Sequence, residues 1–292
     1  LPAHLLILGG GIIGCEFAHI MRSFGTQVTI VEMLDHLLPN EDKEAAAVLT
    51  RSFKKRKLKA YTGAKATQID TSGTGVQLSI ETKKGSETLE GDRLLVSVGR
   101  VPNTSGLAEL GIELQKGFIP IGDYCRTSIP SVYAVGDVVS SPLLAHVAAR
   151  EAEIAVEHMA GRTPERRIDP RYIPSAVYTE PQVASFGYTE EGAAEAGLEA
   201  KAVSFPYRGT GKAVAAGMPD GMVKLIYSPA DRTVLGAVIA GAEATEIIHE
   251  LVVAARGGLT TDDIAASIHA HPTLSEAVKE AAMEAGEGAI HI

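Results

Sequence analysis

The chain has 292 residues, 45% of them hydrophobic and 22% charged, and a formal net charge of −9. This length holds two or three domains with ample cores, and the acidic balance excludes nucleic acid as a general partner. No apolar run approaches the ~18 residues that span a bilayer and no signal-peptide pattern precedes the first strand, so neither membrane attachment nor export is expected.

His4–Leu8 is a short apolar run, followed by three glycines and a helical pattern that reaches Phe24. Gln27–Val31 is a second apolar run that closes on Glu32. Strand, glycine turn, helix and strand make one βαβ unit. A further helix is predicted from Pro39-Asn40-Glu41-Asp42, with Asn40 as its cap. Its far end, RSFKKRKLK over residues 51–59, reads as a solvated helix terminus where cations complement the dipole. Residues 75–82 and 93–98 follow as strands, and Arg100-Val101-Pro102-Asn103 reads as a link.

Within residues 127–139, VYAVG is predicted as a strand that delivers Asp137 at a glycine turn, with a helix over 146–159. The polar stretch 161–170, with two prolines, marks a second boundary. Beyond it, 175–178, 222–227 and 234–240 read as strands, with a hairpin turn at Pro229-Ala230-Asp231. Residues 245–255, 261–267 and 275–284 read as helices, completing an α+β arrangement. The predicted architecture is α/β: a Rossmann-like dinucleotide-binding domain over 1–101, a central segment over 102–170 and an α+β domain over 171–292.

Gly9-x-Gly11-x-x-Gly14 lies between a strand and a helix, the context that gives this pattern meaning. Gly9 permits the tight turn, Gly11 lets backbone approach a diphosphate, and Gly14 lets the helix pack on the strand. The helix N-terminus offers N–H donors and positive potential to phosphates. Glu32, 18 residues after Gly14, suits the diol of an adenosine ribose and repels a 2′-phosphate, so NAD is expected rather than NADP. Asp137 suits a ribityl or ribose hydroxyl, but a turn acid that merely ends a strand reads equally well.

Near the end stands His269-Ala270-His271-Pro272-Thr273-Leu274-Ser275-Glu276. A turn into a helix, with Thr273 or Ser275 as cap, lets Glu276 reach back to one ring nitrogen of His271. That contact fixes the tautomer and leaves the other nitrogen as a proton acceptor. A packed core histidine is the plainer reading of His271. No metal site is expected, because no cysteine or acid cluster accompanies His269 and His271. Cys15 and Cys125 stand outside any CxxC or CxxxxC spacing, which fits a reducing, cytoplasmic compartment. Cys15 is read as a small packed hydrophobe despite its place at a helix start.

Together GGGIIGCE, TIVE, LLVSVGRVPNT, VYAVGDVV, LLAHVAAREAE, PSAVYTEPQVASFG and HAHPTLSE resemble the pyridine nucleotide-disulfide oxidoreductase flavoenzymes, most closely the dihydrolipoamide dehydrogenases. Glutathione reductases resemble it less, carrying basic residues where this chain has Glu32. Mercuric reductases carry a terminal cysteine pair that this chain lacks. The resemblance implies that Gly9, Gly10, Gly11, Ile12, Ile13, Gly14, Cys15 and Glu16 form the NAD turn and helix start, Glu16 near the flavin–nicotinamide junction. It implies that Glu32 holds the adenosine ribose and that Ala66 and Gly99 line the adenine and nicotinamide path. Asp137, Leu143, Leu144, Ala145 and His146 are implied to contact FAD. His271 is implied as the acid/base of dithiol–disulfide exchange, oriented by Glu276 and serving the other subunit of a homodimer formed through the C-terminal domain.

The family carries an N-terminal FAD domain with its own GxGxxG and a redox-active CxxxxC pair, and neither occurs in this chain. The resemblance therefore implies the C-terminal portion of such an enzyme, with residues 102–170 a remnant of the central domain. The intact relatives pass electrons from protein-bound dihydrolipoamide through a disulfide and FAD to NAD. They serve 2-oxo acid dehydrogenase complexes or the glycine cleavage system. This chain alone is expected to bind NAD without turnover. The central segment is expected to leave apolar strands such as 132–135 without partners, with exposed edges, association or local disorder as the result.

Overall fold

The computed structural model describes residues 1–291 and divides into two compact units: Leu1–Val98 with the segment from Pro174 onward, and Gly99–Ile173. The first unit begins with β1 (His4–Leu8), helix α1 (Ile12–Ser23), β2 (Gln27–Val31), helix α2 (Lys43–Lys55) and β3 (Lys59–Tyr61). It continues through β4 (Lys65–Asp70), β5 (Val76–Thr82), β6 (Gly85–Gly91) and β7 (Arg93–Val96). A parallel sheet has the order β3-β2-β1-β7, and β4-β5-β6 form an antiparallel meander. The two apolar runs are continuous rather than alternating because both faces are covered. Leu5, Ile7, Val28 and Ile30 pack with α1 and α2, whereas Leu6 and Val31 pack on Leu78, Ile80 and Leu89 of the meander.

Helix α2 starts two residues later than expected. Asn40 does not cap it; Asp42 does, its Oδ1 accepting the N–H groups of Glu44 and Ala45 at 2.8 and 3.2 Å. The cause is a turn in which the Glu41 N–H donates to the Leu38 carbonyl. The basic end of α2 is held in place: the Arg22 Nε donates to the carbonyl of Arg56, and Arg56 bonds the His19 ring at 2.7 Å.

In the second unit, VYAVG is not a ladder strand. Its backbone groups are used locally: Ala134 N–H donates to Cys125 O, and the carbonyl of Val132 accepts from Thr127. Single bridges join Arg126 to Tyr133 and Ile119 to Val139. The expected uncovered strand at 132–135 is therefore replaced by a small core of Ile112, Ile119, Ala134 and Val139. Helix α3 (Ala145–Met159) carries Glu151, which is buried and accepts the Gly136 N–H. Tyr124 and Cys125 both adopt positive φ, at 59° and 60°.

The first unit resumes with β8 (Ser175–Val177), β9 (Gln182–Gly187), α4 (Glu190–Glu195), β10 (Lys201–Pro206), α5 (Gly211–Ala215) and β11 (Met222–Tyr227). It closes with β12 (Val234–Gly241), α6 (Ala244–Arg256), α7 (Thr261–Ala266) and α8 (Glu276–Glu284). The antiparallel sheet β10-β11-β12-β9-β8 has α6 and α8 packed on it. The hairpin at Pro229-Ala230-Asp231 forms as expected. Helix α2 packs on β9 and β12, and one core joins Leu37, Leu38, Val48, Leu49 and Phe53 to Val177, Val183, Met222, Val238 and Ala240. No helix among the described residues is long and apolar enough to cross a membrane.

Candidate functional site

The glycine turn is built by close backbone approach. Gly9 has φ +106°, and a Cβ there would lie 2.4 Å from the Ser97 carbonyl oxygen. A Cβ on Gly14 would lie 2.0 Å from the Gly9 oxygen, so only glycine lets α1 sit this close to β1. Ser97 Oγ donates to the carbonyls of Leu8 and Gly9, both at 3.1 Å, and pins the turn from β7's end. Gly11 differs: a Cβ there would meet nothing within 4 Å. It is the N-cap of α1 and offers no side-chain cap, so no capping side chain takes the first N–H groups of the helix. That cradle fits a diphosphate.

Glu32 is buried at the end of β2 and uses both carboxylate oxygens on backbone. Oε2 accepts the Gly10 N–H at 2.6 Å, and Oε1 accepts the Leu34 N–H at 2.7 Å. The acid thus braces the glycine turn as well as standing where a ribose diol is expected. Ile12 and Ile13 open the helix, Ile13 exposed. Cys15 is fully buried, its thiol donating to the Gly10 carbonyl at 3.3 Å, and burial pushes its pKa up to about 12. It is the packed hydrophobe expected, not a nucleophile. Glu16 turns to the C-terminal segment and accepts the Tyr178 N–H at 2.9 Å. Ala66 lies half-buried on β4, opposite Ile80.

Gly99, Asp137 and residues 143–146 belong to the second unit. Gly99 is exposed with φ +130°. Asp137 is an exposed turn acid paired with Arg100 at 3.0 Å. Leu143 and Leu144 lead into α3, with Leu144 at the N-cap and no side-chain cap, and Ala145 and His146 form its exposed first turn.

At the chain's other end, His271 Nδ1 lies 2.9 Å from Glu276 Oε1, as the spacing anticipates. The caps are different from those expected. Ser275 makes no capping bond, and Thr273 Oγ1 donates to the Ala270 carbonyl; instead Glu276 Oε2 accepts the Thr273 N–H at 2.8 Å. His271 is not a core residue: its side chain is 75% exposed. With Nδ1–H given to the carboxylate, Nε2 carries the lone pair and faces outward as the proton acceptor. Burial disfavours the Glu276 charge, but the Thr273 N–H and the His271 ring outweigh it and hold the carboxyl below its ordinary value. His269 is distinct: its side chain is only 7% exposed, with Nε2 on Glu250 at 2.8 Å and Nδ1 on the Ser267 carbonyl.

Sequence reasoning missed Glu41, Lys224 and His291. Lys224 was visible as a lone cation inside the apolar run MVKLIY, and it is a buried ammonium within 3.1 Å of Asp42, Glu44 and Glu190. Burial alone would lower its pKa, but the three carboxylates reverse that and raise it. His291 Nδ1 pairs with buried Glu280 at 2.8 Å.

Two family models match the chain: pyridine nucleotide-disulphide oxidoreductase over residues 1–152, and its dimerisation domain over residues 173–282. The dihydrolipoyl dehydrogenase of Bacillus subtilis strain 168 is 42% identical over 296 residues, covering all of this chain and 63% of the relative. That of Corynebacterium glutamicum is 43% identical over 289 residues, covering 96% and 61%. Among solved structures, LpdA from Mycobacterium tuberculosis superposes with a TM-score of 0.88 at 32% identity, covering 97% of this chain and 62% of that one. A Cu(II) complex of the HOCl-induced flavoprotein disulfide reductase RclA from Escherichia coli gives the same TM-score at 26% identity, covering 97% and 64%. The chain thus spans about three fifths of the length of the curated relatives it matches.

Proposed function

The chain belongs to the pyridine nucleotide-disulphide oxidoreductase family, and on that premise we propose that it is the NAD-binding and dimerising portion of a dihydrolipoyl dehydrogenase. In this reading Gly9, Gly10, Gly11, Ile12, Ile13, Gly14, Cys15 and Glu16 receive the dinucleotide, Glu32 holds the adenosine ribose, and Ala66 and Gly99 line its path. Asp137, Leu143, Leu144, Ala145 and His146 contact FAD in a protein of the relatives' full length. When bound, these groups supply a two-electron relay from a dithiol to the nicotinamide. The chain's own contribution is to bind and orient them and to handle a proton: His271 Nε2 takes it from a thiol, and Glu276 holds the ring. The thiolate is the reactive form, so a fixed acceptor at neutral pH is the group that dithiol oxidation needs. The C-terminal domain forms a homodimer, which places His271 at the active site of the other subunit. The full-length protein serves a 2-oxo acid dehydrogenase complex or the glycine cleavage system in a reducing, cytoplasmic setting, a reading supported by two free, buried thiols.

The observation that carries the dinucleotide reading is the open space at Gly11, flanked by glycines whose neighbours are already at touching distance. Gly11→Ala keeps the fold and stability, because its Cβ meets nothing, yet weakens NADH binding in calorimetry by obstructing the diphosphate. Gly14→Ala instead destabilises the fold. Full NADH affinity in a folded Gly11→Ala chain contradicts the reading. In a full-length protein, His271→Gln lowers lipoamide turnover steeply and leaves NADH binding intact; equal turnover refutes the acid/base role. Activity with glutathione or mercuric ion rather than lipoamide assigns a related reductase.

The sequence lacks a CxxxxC pair, which favours a second description of the chain by itself: a non-catalytic NAD-binding, dimer-forming module. A colourless purified protein that binds NADH supports the module. Bound flavin with thiol-linked diaphorase activity opposes it.

A further inference from the structure

The five-stranded sheet presents one row, polar but for Val238, to the dinucleotide-binding part of the same unit. Ser204, Lys224, Val238, Ser185 and Ser175 are successive cross-strand partners on β10, β11, β12, β9 and β8. Directly opposed residues share a face of the sheet. Residues 41–44, at the start of α2, sit on that row. Ser175 Oγ donates to Glu41 Oε1 at 2.6 Å, and Ser185 Oγ donates to Glu41 Oε2 at 2.7 Å. Lys224 Nζ donates to Asp42 Oδ2 at 3.0 Å and to Glu44 Oε1 at 2.8 Å. Glu41 is 9% exposed and Lys224 6%. A carboxylate so buried is tolerated only where its hydrogen bonds are made, so residues 41–44 have a single seat on the sheet.

From that seat the chain runs straight back to the glycine turn. The Glu41 N–H donates to the Leu38 carbonyl at 2.9 Å, and the Leu38 N–H donates to the Gly10 carbonyl at 2.8 Å. The Gly10 N–H is taken by Glu32 at 2.6 Å. The residue between the two outer glycines is thus held on its carbonyl side by Leu38 and on its N–H side by Glu32. Leu38 is buried at φ +52°, a strained setting for leucine that persists only where its surroundings fix it. Leu37 lies so near that a Cβ on Gly10 would come within 2.7 Å of it.

We infer that Glu41 is a positioning residue of the dinucleotide site. Its seat between Ser175 and Ser185 holds Leu38 in the left-handed conformation, and Leu38 holds Gly10 so that the Gly11 backbone and Glu32 face the nucleotide. Glu41 touches no reacting atom; it acts through Leu38 and makes the cradle depend on the sheet of the C-terminal part. The inference rests on the NAD reading proposed above.

The test is NADH titration by calorimetry on the chain and on Glu41→Ala, Glu41→Gln and Ser175→Ala/Ser185→Ala. Glutamine refills the seat, its amide oxygen accepting from one serine and its NH2 donating to the other. In Glu41→Ala and in the serine double variant the dissociation constant rises on the order of tenfold, the size of coupling carried by residues that touch neither ligand. The combined variant loses no more than either alone, and Glu41→Gln stays near the unsubstituted value. A Glu41→Ala chain that melts lower but binds NADH equally well overturns the inference, because a purely structural anchor moves stability alone. If Glu41→Ala does not fold, the serine variant, which removes only two hydroxyls, carries the same comparison. A well-folded unsubstituted chain that gives no heat with NADH sinks the NAD reading itself and this inference with it, a result distinct from binding that is indifferent to Glu41.

Discussion

Glu276 is shared between the ring of His271, 2.9 Å from Oε1, and the backbone N–H of Thr273, 2.8 Å from Oε2. The same carboxylate therefore orients the imidazole and starts helix α8. Burial opposes its charge, and these two contacts overcome that opposition. Replacing His271 by alanine removes one of them, so the Glu276 carboxyl is expected to titrate closer to its ordinary value of 4.5. Carboxyl NMR on the two proteins measures this. An unchanged midpoint shows that the ring does not engage the carboxylate in solution.

Glu280 anchors the chain end. Its Oε2 accepts the N–H groups of Ile290 and His291, and its Oε1 meets the His291 ring. Burial works against the charge, yet those partners hold the carboxyl below 4.5. A lowered folded value means that the native state binds this proton more weakly than the unfolded chain. The stabilisation is complete above 4.5 and is lost as pH falls through the lowered value. In urea unfolding, the stability gap between the unsubstituted chain and Glu280→Gln is expected to be constant above pH 4.5 and to shrink in stronger acid. A gap indifferent to acid contradicts the ion pairing.

Cys15 and Cys125 are expected to resist thiol reagents in the folded chain and to react together on unfolding. Burial raises Cys15 from 9.0 to about 12 and Cys125 from 9.0 to about 11, so neither forms the nucleophilic thiolate at neutral pH. Their contribution to stability is whole below 9.0 and declines as pH rises toward the folded values, because the unfolded thiols ionise first. Rapid stoichiometric labelling of Cys15 at neutral pH would place it in an open site instead.

Lys224→Met tests the buried ammonium. Removing the cation takes the countercharge from the Asp42 carboxylate, which keeps its two backbone N–H donors and lies beside Glu44 and Glu190. Breaking a buried ion pair from one side costs about 3–5 kcal/mol, and that loss is expected in urea unfolding. Adding Asp42→Asn is expected to recover part of it. A loss below about 1 kcal/mol would mean that water reaches these groups and screens them as at a surface.

Local spacing makes some of this legible in the sequence alone. The contact between His271 and Glu276 spans five residues, within reach of one turn. Strands β1 and β2 were legible because sheet burial on both faces leaves continuous apolar runs. VYAVG misled because an apolar run does not say whether its backbone groups bond to a ladder or to a turn, and here turns claim them. Strands β9 and β10, QVASFG and KAVSFP, escaped notice because serine, glycine and proline interrupt their pattern. Ser185 has its reason 144 residues away at Glu41, and Ser175 lies 134 residues from the same carboxylate. No local pattern announces a pair that distant. The cap at Asp42 in place of Asn40 has a distant partner too: besides the helix, Asp42 serves Lys224, 182 residues away.

The core beneath α2 has a consequence for synthesis. Its partners β8, β9, β11 and β12 lie beyond Gly99–Ile173, so the ribosome releases residues 1–98 long before that cover exists. At ~5–20 residues per second, the delay is on the order of ten seconds. Throughout it, the nascent chain lacks that part of the cover over the apolar side of an amphipathic helix, in the crowded space where chaperones compete with aggregation.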